Sequence, residues 1–527
     1  MCGIFAAIDT KKDKDFLFPY YQKIQHRGPD DSTYKEITDQ IHFGFHRLAI
    51  NGLNTASNQP FFIDDVWLIA NAEIFNYKEL AADYGIELTT GSDCEVLIHL
   101  YRKMGLPKML DLLIGEYAFV LYDVREEVVF AVRDHLGIRG MYIGRDEDGG
   151  TYFASEAKAL TFCKEFKQFP PRQIWESRTD KFSRFYSLSF GMHEDQSEET
   201  HLRKISELVT KAVEDRMLSD RKIGCLLSGG LDSSLVSAIV ARKAENTKDI
   251  ETFSIGMEGS PDLIAAQKVA DHIGTSHHSI VYTEQQFIDA LKETVYMTGS
   301  FDVTTIRASV GHQLVSNWIK DNSDVKVVFT GETIDEMGSY LYFQQAPSAE
   351  EFQEEGVRLL KDIHYFDMLR GDRSISSAGL EARVPFADRA FVEYFMGIDP
   401  EQRMFDGSEK IEKYLVRKAF ADQDLLPEDV LWRRKNGFSD SVSKKTRSWS
   451  TVIQDYVDTL ITDEEFEQEK DKYVHDTPMT KEAYWYRKEF ESHYGKFDKA
   501  TPYQWLPRWC GEVIDPSARV LEMYEAD

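Results

Sequence analysis

The hydrophobic periodicity of this chain changes once, across residues 191–200 (GMHEDQSEET), a stretch with almost no apolar side chain. Before it, short apolar runs alternate with turns, as in YAFVLY at 117–122, EVVFAV at 127–132 and TYFA at 151–154. That patterning predicts strands, with a helix near 93–104. After it, Leu202, Ile205, Leu208, Val209, Ala212, Val213 and Met217 recur at three- and four-residue spacing and fall on one helix face. A strand at 223–227, a Gly/Ser turn and a helix at 232–244 come next, and apolar runs at 252–257 and 325–330 are separated by helical stretches. Such alternation predicts a mostly parallel sheet covered by helices. A chain of 527 residues also exceeds what one core serves. The expected organisation is a first domain at 2–190, a linker at 191–200, a second domain at 201–515 and a tail at 516–527.

Charge and cysteine usage narrow the function classes. The 62 basic and 90 acidic residues leave a net charge of −28. This surplus repels phosphate backbones and anionic membranes, so neither nucleic acid nor a membrane is an expected partner. Any anionic substrate must meet a locally basic pocket. No stretch of about 18 consecutive apolar residues occurs, and the apolar run at 3–8 meets Asp9, Lys11 and Lys12 too soon for a signal segment. Cys2, Cys94, Cys163, Cys225 and Cys510 are odd in number, far apart and without CxxC spacing. They fit neither a disulfide framework nor a zinc site, and a reducing cytoplasm is the expected location.

Cys2 becomes the first residue once Met1 is removed, and its thiol and free α-amine then share one residue. With an amine pKa of roughly 7.7–8.0 beside a thiol near about 8.5, the amine can take the thiol proton around neutral pH. HRGPD at 26–30, Arg47, NAEIFN at 71–76, GSD at 91–93, RDHLG at 133–137 and ASE at 154–156 follow in order. Together with Cys2 they resemble the glutamine amidotransferase domain of the N-terminal-nucleophile class, which implies an αββα sandwich. The resemblance assigns Cys2 as nucleophile and Arg47, Asn71, Glu73 and Asp93 to glutamine. Arg47 takes the α-carboxylate and Asp93 the α-ammonium, roles that suit a guanidinium and a carboxylate. The Asn71 side chain and the Ala72 backbone N–H are implied as donors to the oxyanion of thiolate attack. Where Thr33, Ala72 and Arg172 stand, the family has glycine.

SGGLDSS at 228–234 lies between the expected strand and helix. Glycines let backbone N–H groups approach an anion, hydroxyls add donors, and the helix N-terminus contributes partial positive charge. The motif lacks the lysine of GxxxxGK[ST] and is similar to the loop of ATP pyrophosphatases. FSIGM at 253–257, GSPD at 259–262, FDVTTIR at 301–307, GETIDE at 331–336 and EARVPF at 381–386 extend the likeness. From Cys2 to about Trp485 the chain resembles the glutamine-hydrolysing asparagine synthetase family. The fold so implied is α/β and α+β in two domains, the sandwich followed by a mostly parallel ATP-pyrophosphatase domain.

That resemblance implies ATP-dependent amidation of aspartate with nitrogen from glutamine, through a β-aspartyl-AMP and a sealed passage for ammonia. ATP falls to Leu227, Ser228, Gly229, Gly230, Asp232, Ser233, Ile255 and Gly331. Glu332 would take a proton from ammonia, Asp335 would hold the aspartate ammonium, and Lys435 would stabilise phosphate charge. Arg307 and Arg383 are candidate clamps for the aspartate carboxylate or for loop closure. Mg²⁺ is expected at Asp232, a hard oxygen ligand, and family members commonly pair as homodimers. The family prefers glycine at Thr333. Two alternatives stay open: a related amidotransferase acting on another carboxylic acid, and a non-catalytic protein that binds glutamine or ATP.

Overall fold

The computed structural model describes every residue except 436, 445, 522, 523 and 525–527, so the end of the expected tail 516–527 lies outside the described residues. The first half contains two antiparallel six-stranded sheets. One runs Glu165–Gln168, Tyr142–Arg145, Thr151–Ala154, Gly3–Ile8, Ile41–Arg47, Asp31–Thr38; the other runs Lys181–Arg184, Gln173–Glu176, Val128–Arg133, Gly115–Asp123, Val66–Ile74, Phe61–Ile63. Strand side chains alternate between faces, and that rule builds the layers. Ile4, Ala6 and Ile8 join Phe43 and Phe45 against Ile69, Ala118, Val120 and Ala131 of the second sheet. Phe5 and Ala7 face the other way, onto Leu17, Tyr21 and Ile24 in and after the helix Lys14–Gln22. On the far side, Leu68, Ala70, Phe119 and Leu121 pack on the helices Val96–Met104 and Leu106–Leu112. The result is helix, sheet, sheet, helix. A short 3₁₀ turn, Asp93–Glu95, precedes the first of those helices.

The second half is built on a five-stranded parallel sheet ordered Ser276–Tyr282, Glu251–Met257, Ile223–Leu226, Val327–Phe329, Glu381–Arg383. Strands covered on both faces read as continuous apolar runs rather than alternating ones, and Glu251–Met257 is buried at every position. The chain enters at Ile223–Leu226, moves outward to Ser276–Tyr282, then returns to the opposite side of its starting strand. This reversal opens a crevice beyond the carboxyl ends of Ile223–Leu226 and Val327–Phe329, the usual ligand position in such sheets. The amphipathic stretch forms the helix Glu198–Asp215, burying Ile205, Val209, Ala212 and Val213; it begins within 191–200. No described helix is long and apolar enough to cross a membrane.

The halves share their cores. Leu48, Ile50, Leu136 and Ile138 of the first pack with Val384, Phe386 and Ala387 of the second, and Tyr142 and Tyr152 pack with Ile375 and Leu380. Each Val, Leu, Ile or Phe side chain among them, fully buried, contributes about 1.5–3 kcal/mol. This seam lies between the two candidate sites.

Two candidate active sites

Cys2 immediately precedes the strand Gly3–Ile8. Its Sγ lies 3.4 Å from the Leu48 N–H and 3.6 Å from the Leu48 carbonyl, and its own carbonyl accepts from Arg27 Nε at 2.9 Å. The Met1 amine is buried and donates to the Leu380 carbonyl at 2.9 Å. Burial lowers that amine to about 5 and raises the Cys2 thiol to about 11. With Met1 attached, therefore, the thiol is neutral and the Cys2 nitrogen is an amide, without the base that the chemistry needs.

The strand Val66–Ile74 carries the neighbouring groups. Ala70 N–H donates to Gln59 Oε1 at 2.6 Å and Ile74 N–H donates to Asp93 Oδ2 at 2.7 Å. Both point away from the neighbouring strand, and the two-residue period puts the Ala72 N–H on the same edge, between them. The buried Asn71 Nδ2 has no hydrogen-bond partner among the described residues. Those are two donors beside the thiol's segment, as an oxyanion requires. Glu73 accepts from Asn51 Nδ2 at 2.6 Å; burial, then the Glu381 carboxylate, push it well above the usual range. Burial raises Asp93 to about 6. Arg47 is held by the carbonyls of Gly52 and Asn54 and by the Asn58 side chain.

Of the positions where the family has glycine, Thr33 and Ala72 lie in strands opposite Phe45 and Tyr117. Extended backbone accepts any residue there. Arg172 and Thr333, by contrast, keep left-handed backbone at φ 66° and 94°, a conformation that strains residues with a Cβ.

The crevice of the parallel sheet holds a cavity of 240 Å³. Leu227, Ser228, Gly230, Asp232, Ser233, Ile255 and Gly331 line it, together with Glu332, Asp335 and Lys435. Gly229 shapes the loop from behind: its φ is 75°, and a Cβ there would stand 2.5 Å from Ala266 N. Ser228 N–H donates to Ser233 Oγ at 3.1 Å, just before the helix Leu231–Lys243 presents its N-terminus. Lys413 Nζ lies 2.5 Å from Asp232 and 2.7 Å from Asp335, and Lys435 also pairs with Asp335. Burial works against it, but these two lysines hold the Asp335 carboxylate well below its usual range. Glu332 accepts from Thr330 Oγ1 at 3.0 Å and from Arg370 at 3.4 Å, while burial raises it.

Sequence reasoning missed Lys413, Arg370 and Asp367, all of which line this cavity. No spacing relates them to the loops they meet; only the sheet brings them there. Arg307 and Arg383, in turn, are not among the lining residues. Arg307 pairs with Glu482 at 2.6 Å and Asp515 at 2.8 Å, and Arg383 pairs with Glu381 at 2.7 Å and Glu73 at 2.9 Å. Among the described residues no group of three or more His, Cys, Asp or Glu could hold a metal ion. Asp232 Oδ1, however, is a buried oxygen with no hydrogen-bond partner among them. A single free carboxylate oxygen beside a phosphate loop fits Mg²⁺, which binds through one or two carboxylates plus substrate phosphates.

The glutamine amidotransferase domain model matches residues 1–210, and the asparagine synthase model matches 204–353 and 339–515. Over 561 residues the chain is 38% identical to the glutamine-hydrolysing asparagine synthetase of Gallus gallus and 37% identical to that of Bos taurus. It is 37% identical to that of Homo sapiens over 562 residues. Each alignment covers 100% of this chain and 99% of the relative.

Proposed function

This chain belongs to the glutamine-hydrolysing asparagine synthetases, and on that premise we propose how its two sites make L-asparagine from L-aspartate, glutamine and ATP. Glutamine is bound by Arg47 at its carboxylate and by Asp93 and Glu73 at its ammonium. With Met1 removed, the Cys2 α-amine takes the thiol proton, and the thiolate adds to the side-chain amide carbon. Asn71 Nδ2 and the Ala72 N–H hold the oxyanion. The α-ammonium gives that proton to the leaving nitrogen, ammonia departs, and water hydrolyses the thioester to glutamate and restores the thiol. ATP lies along the loop 227–233, with Ile255 and Gly331 at its sides. The aspartate β-carboxylate attacks its α-phosphorus and pyrophosphate departs, the charge being met by Lys435 and Lys413. Asp335 orients the aspartate ammonium. Ammonia then attacks the acyl carbon, AMP leaves, and Glu332 accepts the proton. Asp232 is the residue to hold Mg²⁺, which when bound neutralises polyphosphate charge.

The observation that carries this reading is the common crevice: the residues expected to hold ATP line it beside Glu332, Asp335 and Lys435. Free ammonia is mostly protonated and unreactive at neutral pH, so the reading calls for a sealed passage between the two sites, across a seam where Leu48, Ile50, Leu136, Ile138 and Val384 are buried together. The domain limits follow the same division, 2–190 and 201–515 joined through 191–200. Of the two roles open to Arg307, loop closure fits better, because its partner Asp515 adjoins Pro516 and Ala518, which line the cavity. The reading extends to a cytoplasmic homodimer, which sedimentation of the purified protein checks.

Incubation with ATP, Mg²⁺, glutamine and a panel of carboxylic acids tests the assignment. AMP formation with aspartate supports it; AMP formation with another acid and none with aspartate transfers it to a related amidotransferase. Glutaminase activity lost in Cys2→Ala separates the enzyme from a glutamine-binding homologue, for which wild type and variant would be equally inert.

A further inference from the structure

Arg383 ends the edge strand of the second-half sheet, yet its side chain reaches into the first half. The guanidinium is fully buried. Nε donates to Glu381 at 2.7 Å, Nη1 donates to the carbonyls of Arg216 and Leu218 at 2.8 and 3.1 Å, and Nη2 stands 2.9 Å from Glu73 Oε2. The same arginine lies over the Phe75 ring at 5.2 Å, two residues beyond Glu73 and just past the end of the strand that carries Asn71 and Ala72. Nε and Nη1 are therefore fixed by hydrogen bonds, while Nη2 makes its ion pair across the seam, with a residue of the proposed glutamine pocket, and no hydrogen bond among the described residues. Its backbone faces the other site: the Arg383 carbonyl accepts from Thr330 N–H at 3.0 Å, and Thr330 Oγ1 holds Glu332 at 3.0 Å.

The surrounding ion pairs sharpen the point. Glu73, Glu116, Glu381 and Asp388 are linked to Arg139, Arg216 and Arg383. Glu73 is held in this buried network by Arg383 and by Asn51 Nδ2 at 2.6 Å. Removing one partner of a buried pair leaves the other uncompensated, so Arg383 contributes to the position of Glu73 before substrate arrives.

We propose that Arg383 is a positioning residue of the glutamine pocket, lent by the synthetase half to hold Glu73 against the substrate ammonium, and that through Thr330 it ties that pocket to Glu332. This rests on the asparagine synthetase reading above. It replaces an aspartate clamp with a part that makes the glutaminase site composite: the first domain does not finish its own pocket.

Arg383→Lys keeps the charge and loses the fork. In a glutaminase assay its KM for glutamine is expected to rise about tenfold while kcat changes less than twofold. Its KM for aspartate, read by aspartate-dependent exchange of pyrophosphate into ATP, is expected to stay within twofold of wild type. An unchanged glutamine KM, or a raised aspartate KM, overturns the proposal; a wild type inert in both assays overturns the parent reading instead. Should the lysine variant not fold, the wild type still decides. Its glutamine KM, measured with and without aspartate plus a non-hydrolysable ATP analogue, is expected to shift at least threefold, and Glu73→Gln to abolish the shift. No shift in wild type, or an equal shift in Glu73→Gln, contradicts the link.

Discussion

Arg27 holds both carboxylate oxygens of Asp372, its two Nη atoms donating at 2.9 Å each, while its Nε grips the carbonyl of Cys2. A residue beside Cys2 is thus anchored to the helix Asp367–Ser376 of the other half, whose Arg370 touches Glu332.

Asp372 gives a stability prediction. Burial raises its pKa, but the Arg27 guanidinium, then that of Arg373, outweigh it and bring the carboxyl to about 2. A depressed carboxylate stabilises the fold above its unfolded value of about 3.9, and the contribution is lost as pH falls towards 2. Asp372→Asn leaves Arg27 buried with less to balance it, and is expected to cost about 3–5 kcal/mol. Denaturant melts at pH 7 and pH 3 should show the variant less stable at pH 7 and the gap narrowing in acid. A gap independent of pH would contradict the pairing.

Asp93 gives the opposite sign. Burial raises it to about 6, so below that pH it gains a proton and loses the charge offered to the glutamine ammonium. The KM for glutamine should rise roughly tenfold per unit below pH 6, and Asp93→Asn should be high in KM at every pH. A wild-type KM constant between pH 5 and pH 7 would remove Asp93 from the pocket.

Gly229→Ala places a Cβ against Ala265 and Ala266 at 2.5 Å, on left-handed backbone. Displacement of the phosphate loop by about 1 Å should cut aspartate-dependent pyrophosphate release by about a hundredfold. Glutamine hydrolysis at Cys2 should be little changed, because the loop belongs to the other site. Parallel loss of both activities would show a folding defect rather than a local one.

Thr333→Gly should stabilise the protein. Left-handed backbone at a β-branched residue costs about 1–3 kcal/mol, and glycine gives back about 0.5–1 kcal/mol in chain entropy. A net gain of about 1 kcal/mol raises the melting temperature of a large domain by about 2–4 °C. A lowered melting temperature would mean that the Thr333 side chain, buried though its Oγ1 has no hydrogen-bond partner among the described residues, packs to greater effect.

Much of this was legible before any coordinates. The strands at 115–123 and 128–133 follow from short apolar runs set between turns, and the phosphate loop from glycines set between a strand and a helix. Asn71, Glu73 and Asp93 came from the family's ordered motifs, and one strand and one adjoining turn carry them. The ion pairs of Arg307 and Arg383 were not legible, since a guanidinium's partner depends on which carboxylate the fold presents. Their partners Asp515 and Glu73 lie hundreds of residues away. Lys413 was hidden for the same reason: its partner Asp232 belongs to a different helix, 181 residues earlier.

The central claim is that nitrogen released at Cys2 reaches an acid activated in the crevice around Asp232 and Glu332. Supplying glutamine labelled with ¹⁵N in its side-chain amide, together with aspartate, ATP and Mg²⁺ in a buffer containing unlabelled ammonium, tests it directly by mass spectrometry. The account predicts ¹⁵N-labelled asparagine, with one AMP and one pyrophosphate formed for each. Asparagine carrying only unlabelled nitrogen, or glutamate accumulating without AMP, would contradict it.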